Sequence, residues 1–106
     1  MNMNKLFDLQ GKVAIVTGGY GHLGSAMVRA LLAANATVIV AGRSVDRFFA
    51  AFSSLECESL HFREIDVTDS DSIKRFFTDI IAHFGSVDIL VNNAHASRGN
   101  SQENMA

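Results

Sequence analysis

Apolar and polar positions along this chain alternate between two rhythms. Val13-Ala14-Ile15-Val16-Thr17 and the stretch from Thr37 to Ala41 are short continuous runs rich in β-branched residues, the pattern of strands buried on both faces. Between them, starting at Leu23, apolar residues recur at Ala26, Met27, Ala30, Leu31 and Ala34, which predicts one face of a helix ending near Asn35. Gly42 bounds the second run, and Ser44 is placed to cap a short helix carrying Val45, Phe48, Phe49 and Phe52 on one side. Leu60, Phe62 and Ile65 mark a third, less regular strand that ends at Asp66-Val67. Thr68 and Asp71 form a capping arrangement, and Asp69 and Asp71 put negative charge where a helix start favours it. Ile73, Phe76, Phe77, Ile80, Ile81 and Phe84 then hold the amphipathic spacing without a break until Gly85 stops the helix. Val87 to Val91 is a fourth strand, leading into Asn92-Asn93-Ala94-His95. Before the first strand, Leu6, Phe7 and Leu9 form a small apolar group suited to packing under the sheet. After the last, residues 96–106 are polar and aperiodic and read as a disordered tail.

Strand and helix therefore alternate through residues 1–95, which predicts an α/β unit with a parallel sheet and right-handed crossovers. The expected strand order is 3-2-1-4, with the first two helices on one face and the third on the other. The order reverses between the first and fourth strands, and the glycine-rich loop Gly18-Gly19-Tyr20-Gly21-His22-Leu23-Gly24 falls at that switch point. A strand running into a glycine turn and a helix start is a phosphate-binding arrangement. The turn needs a residue without a β-carbon, the amides must approach the anion closely, and the free N–H groups of the helix favour negative charge.

Composition narrows the partners. With 106 residues, 48% hydrophobic, and a net charge of −2 with scattered cations, the chain offers no basic footprint for nucleic acid or an anionic membrane. The longest apolar stretch, Ala26 to Ala41, is interrupted by Arg29 and Asn35 and is too short for a membrane span. A cytoplasmic protein is expected. Cys57, the single cysteine, is expected to be packed rather than reactive. His22, His61, His83 and His95 lie in different elements without ligand spacing, so no metal site is expected.

Three segments together, Thr17 to Gly24 after the first strand, Asp66-Val67 after the third, and Asp88-Ile89-Leu90-Val91-Asn92-Asn93-Ala94 through the fourth, resemble the N-terminal half of a short-chain dehydrogenase/reductase. The resemblance implies a partial Rossmann-type three-layer fold that binds NAD(H) or NADP(H). It places Gly18, Gly19, Tyr20, Gly21, Leu23 and Gly24 along the pyrophosphate and nicotinamide side, Asp66 and Val67 beside the adenine, and Asn93 and Ala94 on the ribose side. Asp66 also suits holding the turn after the third strand, and Asn92 and Asn93 suit satisfying backbone groups at the end of the fourth. Two positions depart from the family pattern. The classical glycines correspond to 18, 22 and 24, whereas position 22 is His and the glycine falls at 21, a spacing similar to that of the extended branch of nucleotide-sugar epimerases and dehydratases. His22 is expected to turn its ring away from the phosphates. His95 stands where the classical motif ends in Gly, which would crowd the nicotinamide ribose.

At the end of the second strand an NAD-selective site carries a carboxylate, whereas this chain has Gly42-Arg43-Ser44. Arg43, with Ser44, is the reader expected for a 2′-phosphate, so NADP(H) is expected over NAD(H). The family's Ser, Tyr and Lys are not recognisable: Tyr20 is the only tyrosine, and position 24 is Gly rather than Lys. The sequence thus reads as the cofactor half of an oxidoreductase, stopping before the catalytic set, with weak cofactor binding and no reductase activity by itself. Pairing with another chain through the edge of the fourth strand is also expected. A non-catalytic nucleotide-binding or regulatory module and a fragment of an extended-type enzyme are the alternatives.

Overall fold

The computed structural model describes residues 8–55 and 57–93. The elements run β1 (Val13–Thr17), α1 (His22–Ala33), β2 (Thr37–Gly42), α2 (Val45–Phe52), β3 (Leu60–Glu64), α3 (Ser70–Phe84) and β4 (Ile89–Asn92). The four strands form one sheet in the order β3-β2-β1-β4, and every pairing is parallel. Ile15 stands between Ile39 and Leu90, and Thr17 between Ala41 and Asn92.

Period-two alternation along the central strands divides the apolar residues between two cores. Val13, Ile15, Ile39 and Ala41 face α3, where Phe76 and Ile80 are buried against them together with Ile65. Val16, Val38 and Val40 face the other way, onto Val28 of α1 and Phe48 and Phe52 of α2. Helices on both faces explain why β1 and β2 are apolar at nearly every position. Leu9 packs against the second core as expected for the lead-in. Leu6 and Phe7 lie outside the described residues, as do Ala94, His95 and the segment 96–106.

Several local expectations are corrected. The buried stripe of α1 is Gly24 and Val28, flanked by half-buried Leu31 and Leu32; of the expected set Leu23, Ala26, Met27, Ala30, Leu31 and Ala34, Leu31 packs on that core whereas Leu23, Ala26 and Ala30 are exposed. The helix is turned so that Gly24 meets the Gly18 turn, which carries Val28 onto Val16 and Val40 and leaves Leu23 62% exposed. On α2, Phe48 and Phe52 are buried while Phe49 is 61% exposed, because a helix of eight residues lays only an i, i+4 pair on the sheet. The cap of α3 is Asp69, whose carboxylate accepts from the Asp71 N–H at 3.0 Å; Thr68 instead donates to Asp66. Cys57 is exposed, since it lies in the loop before β3 rather than on an element facing a core.

β4 begins at Ile89, and the residue before it is tied down separately. The Asp88 N–H donates to the Val13 carbonyl at 2.9 Å, and the Asp88 carboxylate accepts from the Val13 N–H at 2.9 Å and the Ser86 hydroxyl at 3.1 Å. Those bonds hold the Asp88 carboxyl below the usual carboxylate range, the Val13 N–H contributing most, then Ser86 and the charge of Lys12. Leu90 shares the face of Ile15 but lies beyond the residues that α3 covers, and remains exposed.

Candidate functional site at the glycine loop

The loop between β1 and α1 lies at the carboxyl ends of the strands, between β2 on one side and β4 on the other. Gly18 has φ +67°, a conformation that a residue with a β-carbon adopts only with strain. Its N–H donates to the Ala41 carbonyl at 3.1 Å, and its carbonyl accepts from the Gly21 N–H at 3.1 Å, closing the turn. Gly24 packs against that turn. A β-carbon there would collide with the Gly18 carbonyl oxygen and lie 2.8 Å from Asn93 Nδ2 and 2.9 Å from Gly19 Cα. Gly19 is nearly as tight, with Val40 and Val28 methyls at 3.0 to 3.1 Å from a β-carbon. Gly21 is the exception: φ is −80°, and its nearest neighbour would be 3.5 Å away. The glycines that the backbone demands are therefore 18 and 24, whereas Gly19 is confined by the Val40 and Val28 side chains.

Gly21 is also the N-cap of α1. No side chain caps the helix and no acidic residue stands in its first turn. Its leading N–H groups point out of the helix start beside the glycine turn, so loop and helix form a cradle for an anion.

Asn93 anchors β4 to this loop. Its side-chain amide donates to the Gly18 carbonyl at 3.3 Å, and its N–H donates to the Thr17 hydroxyl at 2.9 Å. The Thr17 hydroxyl in turn has the Asn92 carboxamide oxygen at 3.1 Å and the Val91 carbonyl at 3.3 Å as acceptors. Thr17 was not among the residues expected at the site. Its signal was a hydroxyl at the end of an otherwise apolar strand.

Across the loop, the Tyr20 hydroxyl accepts from the Arg43 N–H at 3.2 Å, and its ring lies against Gly42, where a β-carbon would collide with the hydroxyl and sit 2.6 Å from Cε2. Ser44 caps α2, accepting from the Arg47 N–H at 3.2 Å, and the Arg47 guanidinium lies 5.2 Å from the centre of the Tyr20 ring. Arg47 is the second residue that the sequence reading missed. Asp66 accepts from the Thr68 hydroxyl at 2.7 Å and from its N–H at 3.0 Å, so it does hold the turn after β3. The Thr68 hydroxyl, then its N–H, and the positive charge of Arg43 lower the Asp66 carboxyl below its ordinary value. Val67 and Leu23 are exposed apolar side chains at this same edge, and His22 is exposed.

A separate cavity of about 420 Å³ opens between β3 and α3, lined by Arg63, Glu64, Asp66, Asp69, Ser72, Arg75, Phe76 and Asp79. Of the site residues it includes Asp66 alone. Four carboxylates line the cavity, and the Arg63 guanidinium is already paired with Asp79 at 3.0 Å, so it is poorly suited to phosphate. Among the described residues no group of three ligating side chains is gathered for a metal, and no helix is long and apolar enough to cross a membrane.

Sheet order, switch point and glycine cradle define a Rossmann-type α/β unit. The comparisons with known proteins make the assignment specific. A family model described as short chain dehydrogenase matches residues 12–106. The chain is 38% identical over 88 residues to a short chain dehydrogenase/reductase of Colletotrichum higginsianum, covering 81% of this chain and 33% of that protein. It is 38% identical over 92 residues to a 2-dehydro-3-deoxy-D-gluconate 5-dehydrogenase of Formosa agariphila, covering 84% and 35%. A crystal structure of a short chain dehydrogenase from Bacillus anthracis superposes with a TM-score of 0.74 at 30% identity, covering 81% of this chain and 36% of that one. The chain belongs to the short-chain dehydrogenase/reductase family, and it spans about a third of the length of these relatives.

Proposed function

We propose that this chain is the NADP(H)-binding portion of an oxidoreductase that moves hydride between an alcohol and a carbonyl. The observation that carries the reading is the conjunction of an uncapped α1 start on a glycine turn with an arginine, and no carboxylate, at the end of β2. Gly18, Gly19, Tyr20, Gly21 and Gly24 with the first turn of α1 would hold the pyrophosphate, and Leu23 would lie toward the nicotinamide. Arg43 and Ser44 would read the 2′-phosphate, Asp66 and Val67 would flank the adenine, and Asn93 and Ala94 would line the ribose side. When bound, the nicotinamide supplies or accepts the hydride. The chain's own contribution is binding and orientation. Thr17 and Asn93 keep β4 in register with the cradle.

None of these 106 residues supplies a Tyr-x-x-x-Lys pair, so this chain alone is expected to bind without turnover. A reducing, cytoplasmic setting is consistent with its single exposed cysteine. Calorimetric titration with NADPH, NADH and adenosine 2′,5′-bisphosphate tests the reading. NADPH should bind more tightly than NADH. Arg43→Ala should weaken NADPH by roughly ten- to a hundredfold while barely affecting NADH, as expected for lost charge-assisted hydrogen bonds. Equal affinities for the two cofactors, unaltered in the variant, would sink it.

A further inference from the structure

Gly42 occupies the place where an NAD-selective site carries its carboxylate, and the structure shows what fills the space instead. The Tyr20 ring lies on the Gly42 backbone, so that a β-carbon at 42 would run into its hydroxyl and approach Cε2 and Cζ to 2.6 and 2.8 Å. The ring has three attachments there. Its hydroxyl accepts from the Arg43 N–H at 3.2 Å, its half-buried body packs against the core of Val16, Val40 and Phe48, and its face carries the Arg47 guanidinium at 5.2 Å. Arg47 is held at its other end by Ser44, which caps its N–H at 3.2 Å.

We propose that Tyr20 is a positioning residue for cofactor choice: its ring takes the space of a side chain at 42 and seats Arg43 and Arg47 together as the pair that receives the 2′-phosphate. Any side chain at 42 evicts the ring, because the obstructing atoms belong to a side chain that can swing outward only by giving up all three attachments. The carboxylate that would select NAD(H) and the tyrosine that organises the two arginines therefore exclude each other. The glycine loop, whose glycines serve the pyrophosphate, thereby also governs the far end of the adenosine site. Arg47 becomes a second phosphate reader, lying one helical turn beyond Ser44.

This inference rests on the NADP(H) reading above, and its test separates the two. Tyr20→Ser, Gly42→Asp and the double variant are compared with the wild-type chain by calorimetric titration with NADPH and NADH and by thermal unfolding without ligand. Gly42→Asp alone should lower the unfolding midpoint and weaken both cofactors at least tenfold. In the Tyr20→Ser background the same change should leave the midpoint unaltered and reverse the preference, with NADH binding at least tenfold more tightly than NADPH. Arg47→Ala should weaken NADPH about tenfold and leave NADH unchanged, a split that a merely structural role would not produce. If wild-type binds NADPH selectively but Gly42→Asp acts equally in both backgrounds, the coupling through Tyr20 is wrong and the NADP(H) reading stands. A wild-type chain that binds neither cofactor overturns both.

Discussion

Replacing Gly24 with alanine sets two effects of known sign against each other. Gly24 is the third residue of α1, and helix propensity alone would make alanine better there by about 1 kcal/mol. The added methyl, however, meets the Gly18 carbonyl oxygen, Asn93 Nδ2 and Gly19 Cα, and two of those three are backbone atoms that cannot rotate aside. Forcing α1 off the turn costs about 1–3 kcal/mol as overpacking. The Gly18 carbonyl also accepts from the Gly21 N–H and from Asn93, and disturbing those bonds adds about 1 kcal/mol. The steric loss outweighs the propensity gain, leaving a net destabilisation of about 2 kcal/mol, equivalent to a fall in Tm of about 8–16 °C for a domain of this size. Because the chain has no tryptophan, urea and thermal unfolding are best followed by far-ultraviolet circular dichroism. Gly21→Ala is the internal control: with a φ of −80° and no neighbour closer than 3.5 Å, it should stay within about 0.5 kcal/mol of wild type. A Gly24→Ala chain as stable as wild type, or a Gly21→Ala chain destabilised as much, would refute the assignment of which glycines this loop requires.

Other consequences follow from single contacts. Asp88 has its folded-state pKa depressed by the Val13 N–H, so its stabilisation is complete above the ordinary carboxylate range and is lost as pH falls through the folded value. Asp88→Asn should therefore unfold more easily than wild type at pH 7, with the gap closing toward pH 3, and a pH-independent gap would count against the contact. His61, edge-on to Phe84 at 4.9 Å, has its pKa lowered by burial and then by the charge of Arg63. Its neutral ring favours the fold fully above about pH 6.5, and that contribution declines as pH drops toward the lower folded pKa. His61→Phe should flatten the stability profile between pH 7 and 5.5, and parallel profiles would refute the shift. Along the β4 edge, Leu90→Lys should shift sedimentation toward the monomer if this chain pairs through that strand, whereas an unchanged distribution would argue against such pairing.

The alternation of β-branched runs with amphipathic stretches was enough to read all seven elements, their order and the parallel sheet 3-2-1-4, because each element obeys its own period and right-handed crossovers leave few ways to connect them. Ser44 was legible as a cap and Gly85 as a stop for the same local reason. The misreadings share a different cause. The face of α1 was read from the spacing of Leu23, Ala26, Met27, Ala30, Leu31 and Ala34, yet the helix is oriented by the approach of Gly24 to the Gly18 turn. Phe49 was read as core because it is apolar, and it is exposed because no element in the described structure lies over it. Asp69 displaced Thr68 as a cap because Thr68 was already engaged with Asp66 across the turn.

Sequence by itself determined the order of strands and helices and their places to within a few residues, that the glycine loop falls at the switch point, and that Arg43 rather than a carboxylate follows β2. These are matters of local period, chain connectivity and residue identity, none of which needs coordinates. Tertiary structure decided which glycines are obligatory, that Thr17 and Asn93 join β4 to the loop, and that Tyr20 reaches Gly42, Arg43 and Arg47. The Thr17–Asn93 and Tyr20 contacts bridge residues more than twenty positions apart, and they arise because parallel pairing brings the carboxyl ends of β1, β2 and β4 to one edge of the sheet. Period records which side of an element is apolar, but only packing determines what that side meets.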